Sequence, residues 1–244
     1  MKLSAGRVHI WQVNLDGREW DFLSYALSQN ELEKVRRFRG EKLQRRFARC
    51  RGALRWLLSC YTELAPRDQV LYYDRFGKPS LADSPIFFNV SHSGNRALIA
   101  VSQHVVGIDV EQMNRHGVDI SGIVKLVCHP AELAEFERVA NDLQAAFFYR
   151  LWTRKEAYVK ALGSGLQHPL PQVRFGSTPA PGISFVVDES TNNKENLFVY
   201  DLESTNEYAA SLCIEAENAE LSYFSADSIQ HDMKTNMPVT SARL

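Results

Sequence analysis

Apolar and polar positions alternate with period two over residues 8–13, and that spacing predicts a strand. Ser28-Gln29-Asn30-Glu31 has the form of a capping box and predicts a helix through Phe38, interrupted by Gly40. Beyond the glycine, Phe47, Cys50, Leu54, Leu57 and Tyr61 recur at intervals of three and four, the buried stripe of a second helix. Lys42, Arg45, Arg46 and Arg49 fall on another of its faces. Residues 70–74 read as a strand and 75–79 as a turn. A buried strand over 86–90 is followed by a loop, Ser91-His92-Ser93-Gly94-Asn95. Residues 97–101 and 105–111 read as paired strands joined at 102–104.

The second half repeats the mixture. Residues 114–117 are polar and suit a linker, Ile120–Val127 suits a short helix, and Pro130 suits the first turn of another running towards Val139. The longest helix is expected from about Asp142 to Leu162, ended by Gly163-Ser164-Gly165. Strands are then expected at 183–187, 197–202, Tyr208–Ile214 and Glu220–Ser225, with loops at 176–182 and 188–196 and a polar, aperiodic tail from 226. Helices, strands, helices and strands in that order predict an α+β fold of two similar subdomains, 1–112 and 113–226, with 227–244 as a flexible tail. No repeat is visible in the sequence itself.

Composition narrows the field. The 244 residues are 45% hydrophobic and 23% charged, enough apolar material for a sizeable core. A net charge of -1 removes any global electrostatic case for nucleic acid or membrane binding. Four scattered cysteines without a CxxC pair argue against a zinc site and a disulfide framework, and predict reduced thiols. The N-terminus lacks a signal-type apolar core and no segment is long and apolar enough to span a bilayer, so a cytoplasmic protein is expected.

Two blocks carry chemistry. Asp109 and Glu111 lie two residues apart, on one side of an expected inner strand made apolar by Val105, Val106, Ile108 and Val110. Gly107 lets another backbone or a ligand come close. Such carboxylates either face water or share a cation that relieves their repulsion. Trp152, Glu156 and Lys160 are spaced by four on one helix face, with Lys155 pointing elsewhere. A surface Glu156–Lys160 pair is the plain alternative, but Phe147, Phe148, Leu151, Trp152, Tyr158 and Val159 bury this helix, and a buried carboxylate needs a partner. The hydroxyls, imidazole and backbone N–H groups of Ser91 to Gly94 are able to hold phosphate oxygens, although His92 alone reads equally as a turn histidine. Between Lys34 and Arg55 the only acidic residue is Glu41, so that basic run is either a solvated face or a site for a multiply charged anion or an acidic partner. Lys78 adds a loop cation.

Gly-Lys-Pro at 77–79, Phe-Asn-Val-Ser-His-Ser-Gly at 88–94, Val-Gly-Ile-Asp-Val-Glu at 106–111 and Leu-Trp-Thr-Arg-Lys-Glu-Ala-Tyr-Val-Lys at 151–160 resemble, in order and spacing, the signature of phosphopantetheinyl transferases of the surfactin-synthetase type. The resemblance spans about 34–166. It implies a monomer of two pseudo-twofold subdomains with coenzyme A and Mg2+ in the cleft between them. The implied reaction is attack of a carrier-protein serine on the β-phosphate of coenzyme A, with 3',5'-ADP leaving. By this resemblance Asp109, Glu111 and Glu156 match magnesium ligands and Lys160 the lysine near the transferred phosphate. Ser91 and His92 match contacts to coenzyme A phosphates, and Lys78 a residue lining the nucleotide pocket. Arg46, Lys34 and Arg37 fall near the adenine and 3'-phosphate contacts, and Glu132 matches an acidic residue with a base-like role; Glu156, Glu132 or a metal-bound water is the implied acceptor of the serine proton. Phe47 departs from the family, standing where a small polar residue contacts the nucleotide. The implied partners are apo acyl, aryl or peptidyl carriers. A metal-dependent nuclease would also carry strand-borne carboxylates and a lysine, but calls for a broad basic surface. A non-catalytic carrier-binding module would not need the three carboxylates.

Overall fold

The computed structural model describes residues 1–4, 6–17, 25–82, 84–113, 119–178, 182–190, 196–202 and 207–226. The linker expected at 114–117, the tail at 227–244 and parts of the loops expected at 176–182 and 188–196 lie outside them. Along the chain run β1 (Arg7–Asn14), α1 (Gln29–Arg37), α2 (Glu41–Ser59), β2 (Leu71–Tyr73), β3 (Pro79–Leu81), β4 (Phe87–Ser93), β5 (Arg96–Ser102) and β6 (Val106–Gln112). There follow α3 (Ile120–Val127), α4 (Pro130–Phe136), α5 (Asn141–Leu162), β7 (Val173–Ser177), β8 (Ile183–Asp188), β9 (Phe198–Asp201), β10 (Tyr208–Ile214) and β11 (Glu220–Ser225).

Two sheets organise the molecule. One has the order β11-β1-β5-β4 and the other β6-β10-β9-β8-β7, with a small β2-β3 ribbon beside them. All pairings are antiparallel except β1 with β11. Alternation sends Trp11, Val13, Ala97, Ile99 and Val101 to a core under α2, while Val8, Ile10, Leu98 and Ala100 face the other way. There they meet Val106, Ile108, Val110, Ala210, Leu212 and Ile214 of the second sheet. The opposite face of that sheet packs on α5, burying Tyr158, Val159, Val199 and Cys213. Central strands buried on both faces are why β5 is apolar over 97–101 and β10 is apolar except at Ser211, whose hydroxyl meets Thr153. The result is the α+β fold that the sequence predicts, built as two helix-backed sheets packed face to face.

Four expectations change. β5 and β6 are not a hairpin, because β5 lies between β1 and β4 while β6 pairs with β10 across the chain. Strand pairing also crosses the expected boundary at 112: β6 joins the sheet of the second half and β11 joins the first. Ser91 to Ser93 belong to β4 rather than a loop, leaving Gly94 and Asn95 as the turn. β3 and β7 arise where a turn and no element were expected.

The helices are set by local signals. Ser28 and Glu31 cap α1 reciprocally, with the Ser28 N–H donating to Glu31 at 2.9 Å. Gly163, at φ 69°, closes α5 in the left-handed conformation that glycine adopts without strain. None of the four cysteines is in a disulfide. Among the described residues no helix is long and apolar enough to cross a membrane.

Candidate active site

β4, β6 and α5 converge on one group of side chains. Asp109 and Glu111 leave β6 on the face turned to α5, opposite Ile108 and Val110. α5 comes this close because position 107 is glycine: a Cβ there would lie 2.0 Å from the Ala157 carbonyl and 2.4 Å from the Ala161 nitrogen. Lys160 consequently reaches across, its ammonium 2.6 Å from Asp109 Oδ1 and 2.9 Å from Ser91 Oγ. Ser91 donates to Asp109 Oδ1 at 2.8 Å, and Ser93 donates to Glu111 Oε2 at 2.7 Å.

Negative charge in this corner exceeds what Lys160 neutralises. Burial, then the charge of Asp109, pushes the Glu156 carboxyl up to about 7, Lys160 pulls it partly back, and Glu111 adds to the rise. Asp109 Oδ2 and Glu156 Oε1 are buried acceptors with no hydrogen-bond partner. Buried oxygens of this kind are costly unless something positive satisfies them. Hard oxygen donors, two of them orphaned, fit a divalent cation such as Mg2+. Among the described residues no three His, Cys, Asp or Glu side chains stand ready-made as a metal cluster; the cation on Asp109 is the Lys160 ammonium.

The opposite wall is cationic. His92 is held below the ordinary imidazole range by the packing around it, then by the charges of Lys160, Arg51 and Arg46, although its ring keeps access to solvent. Arg46 makes a two-bond pair with Asp16, at 2.7 and 2.6 Å. Lys34 lies 5.2 Å over the Phe47 ring, which also packs on Phe38, and Arg37 stands exposed on α1. Arg51, overlooked in the sequence, contacts the rings of both Phe47 and Tyr73 and belongs to this wall. Lys78 is in the same region but donates to the Ala161 carbonyl at 2.8 Å, at the negative end of α5, and burial lowers its pKa. Its loop is shaped by Asp74, whose carboxylate accepts from the N–H groups of Phe76 and Lys78.

Not every charge of the basic run faces this wall. Arg49 donates to the Leu15 carbonyl, and Arg55 is buried against Glu31 at 2.6 Å and the carbonyls of Pro66 and Gln69. Both are fold-holding groups, not a solvated face. Glu132 is likewise not brought to Asp109. Its carboxylate caps α4 through the His129 N–H and sits 2.7 Å from the Lys155 ammonium. Lys155 is fully buried, also donates to the carbonyls of Val127, Leu170 and Val173, and is depressed by burial against the pull of Glu132. Lys155 therefore points away from Glu156, as helical spacing predicts, and Glu132 follows it.

Ser93, whose hydroxyl the sequence offers to phosphate oxygens, instead donates to Glu111, because 91–93 form a strand in which Ser91 and Ser93 share a face.

Residues 105–213 match a family profile described as the 4'-phosphopantetheinyl transferase superfamily. The chain is 35% identical over 186 residues to the 4'-phosphopantetheinyl transferase HetI of Nostoc sp., a match that covers 73% of this chain and 78% of that one. It is 32% identical over 149 residues to the 4'-phosphopantetheinyl transferase gsp of Aneurinibacillus migulanus, covering 61% of this chain and 60% of that protein's length. A 4'-phosphopantetheinyl transferase of Bacillus subtilis is 29% identical over 200 residues, 82% of this chain and 87% of its own.

Proposed function

The chain belongs to the 4'-phosphopantetheinyl transferase superfamily and is an enzyme of that activity, and from this premise we propose that its donor is coenzyme A, its acceptor a serine hydroxyl of an apo carrier protein, its metal Mg2+ and its leaving product 3',5'-ADP. The observation that carries the reading is the Lys160–Asp109–Ser91 contact, which joins a helix and two strands around orphaned carboxylate oxygens.

Asp109, Glu111 and Glu156 would hold the ion, which supplies charge neutralisation for the diphosphate. The chain's own residues do the rest. His92 binds phosphate oxygens beside Lys160, whose ammonium stabilises the charge that develops on the transferred group, and Ser91, its proton given to Asp109, holds Lys160 in place. Arg46, Lys34 and Arg37, with Arg51 and Lys78, receive the nucleotide end. The serine oxygen forms the new bond to phosphorus as the bond to the 3',5'-ADP oxygen breaks. The serine proton needs an acceptor, and with Glu132 tied to Lys155 the carboxylate left beside Lys160 and Asp109 is Glu156.

The test is the mass of an apo carrier protein after incubation with coenzyme A, Mg2+ and this protein. A phosphopantetheine increment is expected. It should vanish with a chelator and with Asp109→Ala or Glu156→Ala, each retaining its circular dichroism spectrum. Full activity of a folded Asp109→Ala protein would refute the metal assignment, and no increment on several carriers would refute the donor and acceptor.

A further inference from the structure

The β6 strand is an edge of its sheet, and Ile108, Val110 and Gln112 turn their N–H groups away from β10. Three side chains of β4, two residues apart, take those donors. Asn89 Oδ1 accepts from Ile108 at 2.9 Å, Ser91 Oγ from Val110 at 3.4 Å, and Ser93 Oγ from Gln112 at 3.1 Å. Side chains thus stand where a backbone ladder would, and cover an edge that is otherwise open to another strand. The two sheets are stitched together along this line.

The three stitches are not equivalent. A hydroxyl carries one proton and two lone pairs. Ser91 and Ser93 each receive a backbone N–H, and each passes its own proton to a carboxylate, Ser91 to Asp109 and Ser93 to Glu111. Asn89 accepts and passes nothing on, because the residue two before Asp109 is Gly107, which has no side chain. Ser93 is 5% exposed, so its hydroxyl is not exchanging freely with solvent partners.

We infer that Ser93 is a positioning residue for cation binding: a relay from the Gln112 N–H through Ser93 Oγ to Glu111 Oε2 fixes the plane of that carboxylate. The inference rests on the metal reading of Asp109, Glu111 and Glu156. Groups that orient a metal ligand typically change affinity by ~10- to 100-fold when removed. Asn89, in the same row and with the same structural task, is the built-in comparison.

Mn2+ titration of the full chain by calorimetry, with thermal unfolding of each protein, tests this. Ser93→Ala is expected to weaken Mn2+ binding by ~10-fold or more. Ser93→Cys, close in volume but a weak donor, weakens it too and serves if the alanine variant does not fold. Ser93→Thr, which keeps the hydroxyl, restores affinity to within ~3-fold. Asn89→Ala loses a stitch, so its unfolding temperature falls while Mn2+ affinity stays within ~2-fold. Unchanged affinity in folded Ser93→Ala or Ser93→Cys overturns the inference, as does an equal loss in Asn89→Ala. Absence of Mn2+ binding by the unsubstituted protein overturns the metal reading and the inference together.

Discussion

Glu156 shows how one residue carries two opposed demands. Its carboxyl is raised from 4.5 to about 7 by burial and by Asp109. Between those values the folded chain holds a proton that the unfolded chain has lost, so this group's contribution to stability falls as pH rises through that window. Above pH ~7 the full cost is present, at most roughly 3 kcal/mol from the size of the shift. Glu156→Gln removes the charge and keeps the shape. In chelator the variant should therefore unfold at a higher temperature than the unsubstituted protein at pH 8, and the gap should close towards pH 5. A gap that is absent at pH 8, or that grows on acidification, contradicts the account. His92, on the facing wall, is shifted downward by packing and by Lys160, Arg51 and Arg46. One side of the site thus seeks a cation and the other an anion, the charge pattern a metal-bound diphosphate would satisfy. That Asp109 and Glu111 share a side, and Glu156 and Lys160 a face, was legible from spacing; the roles given to them came with the family resemblance. The roles of Arg49, Arg55 and Glu132 were not legible, since each depends on a buried partner distant in sequence.

At the scale of elements, the contact of α5 with β6 sets the site. α5 is tied to its sheet by Thr153 with Ser211 at 3.0 Å, Arg154 with Asp201 and Tyr158 with Asp188 at 2.7 Å. Gly107 decides the spacing. An alanine there meets backbone atoms of α5, which cannot swing aside as a side-chain tip would. Gly107→Ala is expected to cost ~3 kcal/mol or more, the upper end of core overpacking, and to separate Lys160 from Asp109. Denaturant unfolding measures it, and a loss below ~1 kcal/mol would show that the helix yields freely. Helix α5 itself was readable from its length, its apolar content and the glycines after it. β4 runs past Val90 through Ser91, His92 and Ser93, residues with turn character in sequence whose alternation serves the neighbouring strand.

Over the whole molecule, the last described strand closes the first sheet. β11 runs parallel to β1 from the Arg7–Glu220 pair to Gln12 beside Ser225, and Phe224 stacks on Trp11 at 4.5 Å between ring centres. A chain cut after Ala219 leaves β1 as a bare edge and opens the core around Trp11. It should lose cooperative thermal unfolding and self-associate, as light scattering would detect; a cooperative transition at the original temperature would show that β11 is dispensable. Local spacing in the sequence determined the helices, most strands, the shared side of Asp109 and Glu111, and the shared face of Glu156 and Lys160. Those features follow from backbone geometry within a few residues. Only the tertiary structure decided that β6 leaves β5 for β10, that β11 returns to β1, that Arg46 meets Asp16, and that Ser93 meets Glu111. Such partners are chosen by which edges and buried faces fit once the whole chain is packed, and no short stretch of sequence contains that information.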